Sequence, residues 1–179
     1  LFKEDEMKKE YKNFVKSDAK LLVLDRDESV DAVSTWKKVK NPFVAPFRFV
    51  VLEISKLSFS MKFTSFLFRH FLGMKVGKNV GFSPIDIDPL CSELITIGDN
   101  CVFGWKSKIL CHEFTQKKAR FGKVNIGNNV LVGACSVIRS GVSIGNNSSV
   151  GIYSFVNKDI PANEMWGGVP AKKIRMIDK

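Results

Sequence analysis

The 179-residue sequence predicts a mainly β fold, a parallel β-helix of six-residue repeats behind an N-terminal helical cap. Two observations carry this expectation. Single aliphatic residues recur in phase at Ile126, Val132, Ile138, Ile144, Val150 and Val156. Gly-x-Asn recurs as Gly77-Lys78-Asn79, Gly98-Asp99-Asn100, Gly127-Asn128-Asn129 and Gly145-Asn146-Asn147, the last two eighteen residues apart. Three hexads therefore make one turn. A period of six matches neither the roughly 3.6 of an α-helix nor the roughly 3.5 of a coiled coil, and Gly or Asn would interrupt every second helical turn. A β-sandwich accounts for strands but not for phase kept over this length.

The physical reading is a prism. Its flat faces are short strands, and its corners need residues that tolerate positive φ, which Gly and Asn do at least cost. One aliphatic per face points inward and stacks on its equivalent one coil away, about 4.8 Å along the axis. Such coils bury their faces only by stacking, and their open ends need covering.

Element by element, residues 1 to about 36 mix charge with scattered apolar positions (Phe2, Met7, Tyr11, Val15, Leu21, Leu22, Leu24). They read as a helix, a short apolar segment and a polar loop. From Asn41-Pro42 the chain turns Phe-rich. Phe47, Val50, Val51 and Ile54, then Phe63, Phe66, Leu67, Phe68, Phe71 and Leu72 up to Gly73, read as two amphipathic helices. Residues 1–75 are thus a helical capping region, and 76–179 the β-helix with a short tail. Packing over the end of the coil is favoured for residues 43–72 over contact with a membrane surface. Upstream of the main run, Ile97, Phe103 and Ile109 are in phase, but Ile109 to Ile126 is seventeen residues. A loop leaves the coil there, around Thr115-Gln116-Lys117-Lys118-Ala119-Arg120.

Composition narrows the function. The net charge is +10, which raises nucleic acid as a partner. The excess is uneven, however. Lys37 to Lys75 holds eight basic residues against Glu53 alone, while thirteen basic and eight acidic residues follow Val76; no nucleic-acid partner is expected. Cys91, Cys101, Cys111 and Cys135 form no C-x-x-C pair and follow no signal-like segment, so reduced thiols in a cytoplasmic protein are expected. Charges interrupt every apolar run before the roughly 18 residues of a spanning helix. The chain opens on Leu1 rather than Met, which leaves an upstream native start open.

Four segments carry a resemblance to a known family: Ile126-Gly127-Asn128-Asn129-Val130-Leu131-Val132-Gly133-Ala134, Ser140-Gly141-Val142-Ser143-Ile144-Gly145, Lys158-Asp159-Ile160-Pro161 and Gly168-Val169-Pro170-Ala171-Lys172. Over roughly residues 73–177 the chain resembles the hexapeptide-repeat acetyltransferases, and within them the maltose, galactoside and xenobiotic O-acetyltransferase branch. The resemblance implies a left-handed β-helix, against the usual right-handed crossover. It also implies a homotrimer with sites between neighbouring subunits, an acetyl-CoA or other acyl-CoA co-substrate, no metal, and one histidine as general base.

The chain has two histidines. His70 sits in the Phe-rich helix, whereas His112, in Lys108-Ile109-Leu110-Cys111-His112-Glu113-Phe114, stands where the similar enzymes place their base. An unperturbed imidazole titrates near ~6.5 and takes a proton from a hydroxyl or amine without a metal. Cys111 beside it suggests a thiol nucleophile, but neighbours in a strand point to opposite faces, so a buried structural thiol is favoured. By the same resemblance Ala134 and Ile152 line the pantetheine arm, Asn157 falls at a further contact that is often Thr, and Lys172 and Arg175 meet the phosphates. Trp166 covers the adenine or packs. On the acceptor side Asp88, Trp105 and Arg120 are the candidates. The loop is shorter than in sugar acetyltransferases, which leaves the acceptor class open.

The expected function is O-acetyl transfer to a hydroxyl of a small molecule or sugar. Three readings compete: N-acetyl transfer to an amino sugar, a non-catalytic trimeric scaffold with a membrane- or partner-binding N-terminal segment, and a carbonic-anhydrase-like β-helix. The last holds a metal with three histidines from adjoining subunits, which this chain lacks.

Overall fold

The computed structural model describes residues 4–26, 36–37, 39–58 and 60–178. Three amphipathic helices precede the coil. In α1 (Glu4–Lys16), Met7, Tyr11 and Phe14 recur at i, i+4 and i+7 and are buried. Strand β1 (Leu21–Asp25) is the expected short apolar segment. Much of the polar loop expected after it lies outside the described residues.

Helices α2 (Val44–Lys56) and α3 (Met61–His70) follow as expected. The Ser60 side chain caps α3 by accepting the Phe63 N–H, and Gly73, at φ +70°, turns the chain out of it. Val51, Leu52, Leu67 and Phe68 face inward. The Phe68 ring meets Phe82 of the first coil at 4.8 Å, so α3 sits on the coil as a cap.

The coil has three faces. On the first, β2 (Lys75–Val76), β5 (Ile95–Ile97), β10 (Val124–Ile126) and β13 (Ser143–Ile144) pair in parallel and align Val76, Ile97, Ile126 and Ile144. The second face runs β3 (Gly81–Phe82), β6 (Val102–Phe103), β11 (Leu131–Val132), β14 (Ser149–Val150) and β16 (Glu164–Gly167). On the third, β4 (Asp86–Ile87), β7 (Lys108–Ile109), β12 (Val137–Ile138) and β15 (Phe155–Val156) align Ile87, Ile109, Ile138 and Val156. Every aliphatic of the run from Ile126 to Val156 is buried.

Corners follow the Gly-x-Asn motif. Asn79, Asn100, Asn129 and Asn147 have φ of 53°, 57°, 56° and 58°. Their side chains donate along the axis from each Asn to the next, at 3.2, 3.2 and 2.9 Å, and Asn147 donates to Asn163 at 3.0 Å. This ladder satisfies amides that a Gly corner would not offer. The preceding glycine is needed for another reason: a Cβ on Gly127 would lie 2.3 Å from Asn146 Oδ1.

The seventeen-residue step is a β-hairpin rather than an irregular loop. Strands β8 (His112–Phe114) and β9 (Lys118–Gly122) pair antiparallel, and β1 adds to β9 as a third strand. Beyond the last coil, β17 (Lys172–Met176) folds back antiparallel on β16.

Candidate active site

His112 opens β8 immediately after the strand that ends coil two. Its Nδ1 lies 2.5 Å from Asp88 Oδ2. Asp88 follows β4 at the start of the irregular stretch before β5, where the chain leaves the coil for one short turn (Ser92–Leu94). Oδ1 accepts the Leu90 and Cys91 N–H groups, and Oδ2 those of Cys111 and His112. Burial pushes the Asp88 carboxyl up, but His112 and these N–H groups more than offset it and hold it below the usual carboxylate range. An ionised Asp88 favours the tautomer that carries its proton on Nδ1.

The atoms of Asp88, Cys91 and His112 lie within 4.8 Å of one another, close enough to consider a cation. Their chemistry does not suit one. Both carboxylate oxygens already accept hydrogen bonds, and burial, then the Asp88 charge, pushes the Cys91 thiol well above its ordinary value.

An apolar pocket of about 300 Å³ opens on His112, lined by Trp36, Ala45, Leu90 and Phe114. Aromatic contacts tie it to the cap: His112 to Phe114 at 4.9 Å, Phe114 to Phe121 at 5.8 Å, and Phe121 to Tyr11 of α1 at 5.0 Å. Tyr11 and Lys40 donate to Glu93 Oε1, and Arg48 donates to Oε2 at 2.6 Å and to the Leu90 carbonyl at 3.2 Å. Burial raises the Glu93 carboxyl, and Lys40 and Arg48 more than reverse that. Three separate pieces of the cap are thereby pinned beside the Asp88–His112 pair. Sequence reasoning missed Trp36, Ala45, Leu90, Phe114, Tyr11 and Glu93 as site residues, because they lie outside the hexad register.

A second cavity, of about 610 Å³, follows the outer side of the second face and is lined by Gly133, Gly151, Ile152, Gly168, Ile174 and Arg175, among others. Small residues beside one cation suit a thin apolar arm ending in phosphates. Ala134 and Ile152 occupy successive corners, where the Ala134 carbonyl accepts the Tyr153 N–H at 2.9 Å. Asn157 stands half-buried just past β15, and Lys172 starts the exposed β17 opposite Gly167. Among the described residues, none lines both this groove and the His112 pocket.

The geometry bears on four of the expected site residues. Asp88 is buried, and both its oxygens are engaged by His112 and backbone groups, which suits a positioning role. Trp105 is exposed at the same column of corners as Ala134, its carbonyl accepting the Cys135 N–H at 2.9 Å. Arg120 pairs across the hairpin with Glu113, whose neighbour His112 points to the opposite face. Trp166 continues the inward column beyond Val150 and donates Nε1–H to Glu164 at 2.7 Å, so it packs on the core. His70 stays on α3, with Nδ1 3.0 Å from the Phe66 carbonyl. Cys111 is fully buried, and burial, with Asp88, pushes its thiol well up, which argues against a nucleophile.

Comparison with known proteins decides the family. Residues 123–151 match the family described as "Hexapeptide repeat of succinyl-transferase". The protein named "Putative acetyltransferase YvoF" of Bacillus subtilis (strain 168) is 35% identical over 153 residues, 84% of this chain and 89% of that relative. The chain belongs to the hexapeptide-repeat acetyltransferases. The galactoside O-acetyltransferase of Escherichia coli (strain K12) is 32% identical over 118 residues, 62% of this chain and 58% of the enzyme. Among solved structures, the hexapeptide-repeat acetyltransferase VCA0836 of Vibrio cholerae, complexed with acetyl coenzyme A, superposes with a TM-score of 0.62 at 20% identity, covering 76% of this chain and 88% of that one. That likeness concerns the fold. The acetyltransferase family thus supplies the left hand of the coil, which periodicity left open.

Proposed function

We propose that this acetyltransferase moves an acetyl group from acetyl-CoA to a hydroxyl of a small acceptor, with His112 as general base and Asp88 as its positioning residue. The observation that carries the reading is the buried Asp88 carboxylate 2.5 Å from Nδ1 of a histidine that lines the pocket. Acetyl-CoA supplies an acetyl group activated as a thioester. His112 Nε2 takes the acceptor proton as the acceptor oxygen bonds to the acetyl carbon, and returns it to the departing thiol sulfur as the C–S bond breaks. Asp88 stabilises the imidazolium between the two transfers. Ala134 and Ile152 border the arm of the donor, Asn157 lies further along it, and Lys172 and Arg175 meet its phosphates. Residues 1–75 act as a cap that shapes the acceptor pocket.

Separation of the groove from the His112 pocket on one chain supports a homotrimer in which each site joins one protomer's imidazole to a neighbour's groove. Four unbridged cysteines are consistent with the cytoplasm. Thiol release from acetyl-CoA, screened against sugars, amino sugars and hydroxylated small molecules, tests the reading. Acceptor-dependent release that His112→Ala lowers by about 100- to 10,000-fold is expected. Unchanged turnover in that variant, a preference for amines over hydroxyls, or a monomer by light scattering would overturn the corresponding part.

A further inference from the structure

Capping needs one apolar face per helix, yet α2 and α3 each carry two. The inward face holds Val51, Leu52, Leu67 and Phe68. Outward, Phe43, Phe47, Val50, Ile54 and Leu57 recur at i, i+4, i+7, i+11 and i+14, and Met61, Phe63, Phe66 and Phe71 extend the surface over α3; all nine are between 42% and 80% exposed. Four of the rings join the two helices in one run. Phe47 meets Phe71 at 6.1 Å, Phe71 meets Phe66 at 6.1 Å, and Phe66 meets Phe63 at 6.5 Å. An unbroken aromatic surface of this extent on a soluble face marks an interaction site.

Charge selects the partner. Glu53 is the one acidic residue from 37 to 75, and it is held by Lys56, which also reaches Asp86. Lys40 and Arg48 are spent inward on Glu93. Lys62, Arg69 and Lys75 remain at the surface, with Arg69 donating only to the neutral carbonyls of Val76 and Gly77. The patch therefore pairs exposed Phe, Leu and Met with a positive fringe and no free carboxylate. That is the chemistry of helices lying in the headgroup region of an anionic bilayer, where rings enter the acyl boundary and long cations stretch to phosphates. Among the described residues no helix is long and apolar enough to cross a membrane, so contact would be with one leaflet.

We propose that the outward face of α2 and α3 docks the protein on an anionic lipid surface. Membrane contact, which the sequence alone left as the lesser reading, gains its weight from the exposure of Phe47, Phe66 and Phe71, since helical spacing does not say which of two apolar stripes is covered. Ala45 of α2 also lines the His112 pocket, so docking places that pocket near the lipid surface.

The test is co-sedimentation of the full chain with phosphatidylcholine vesicles, with and without phosphatidylglycerol, at low and high salt. Binding is expected on the phosphatidylglycerol vesicles, weakening as salt rises. Phe47→Ser with Phe66→Ser should reduce partitioning by at least about tenfold, and Lys62→Glu with Lys75→Glu should abolish the preference for anionic lipid. Circular dichroism checks that these surface variants fold. No sedimentation of the parent chain, or equal sedimentation of the Phe variant, overturns the proposal. So does a fall in oligomer size in the Phe variant without a change in vesicle binding, which would make the patch a contact between copies. None of these readouts depends on acetyl transfer.

Discussion

The Nδ1 of His112 and the Oδ2 of Asp88 stand 2.5 Å apart, and that oxygen also accepts the backbone N–H groups of Cys111 and His112. Ring and carboxylate are thus locked to the same stretch of chain. Replacing Asp88 by Asn keeps the shape but offers Nδ1 an N–H as readily as a carbonyl, so the proton shifts to Nε2 in part of the population. We expect kcat to fall by about 100- to 10,000-fold with little change in the KM for acetyl-CoA. Steady-state thiol release measures both.

Acid should unfold the protein through the same carboxylates. Asp88 and Glu93 are both held below their ordinary values of 3.8 and 4.5. A depressed carboxyl stabilises the fold above its unfolded value and loses that contribution as pH falls through its folded one. The urea midpoint should stay level from neutral pH to about 5 and decline below that. Glu93→Gln should lower the midpoint at pH 7 and flatten the acid decline, because Lys40 and Arg48 then face an uncharged partner at every pH. A midpoint that rises on acidification would contradict the sign.

Corner asparagines separate backbone strain from hydrogen bonding. At Asn129, φ is 56° and the side chain sits in the amide ladder between Asn100 and Asn147. Asn129→Gly keeps the φ and loses only the ladder bonds, whereas Asn129→Ala loses both. Alanine should therefore be less stable than glycine by about 1 kcal/mol, read as a difference in denaturation midpoint. Equal losses would mean that φ does not matter at this corner.

The basic tail makes a kinetic prediction. Arg175 lines the groove and Lys172 begins the same exposed strand. If they meet donor phosphates, alanine at both should raise the KM for acetyl-CoA by about fivefold per residue, the size of an exposed charged contact. kcat should hardly move. The KM of the parent should also climb with salt more steeply than that of the double variant.

Much of the fold was legible because its signal is one-dimensional. Ile126 to Val156 repeat every six residues, and each strand pairs with its equivalent in the next coil, so local spacing sets the long-range register. Helix α1 was legible through Met7 and Tyr11, although the sequence pattern points to Val15 as its next apolar position where Phe14 is the buried one. Pairing of Leu21–Asp25 with Lys118–Gly122 was not, since it joins segments about a hundred residues apart with no shared period. The site divides the same way. His112 stood out by its position at the break in phase, but Asp88 was expected to touch the acceptor because spacing cannot report that four N–H groups and an imidazole converge on it. Trp105 stacks below Cys135 at a corner, and Arg120 pairs with Glu113 across the hairpin, relationships that residue spacing did not report.

The hairpin between Ile109 and Ile126 leaves the coil after β7 and rejoins it as β10, in register with β5 one coil away. Its length is therefore decoupled from the scaffold, and the turn at 115–117 can be lengthened, shortened or exchanged without disturbing a rung above or below. New acceptor preferences would be sought there first, by grafting, with the spiral serving as an indifferent chassis.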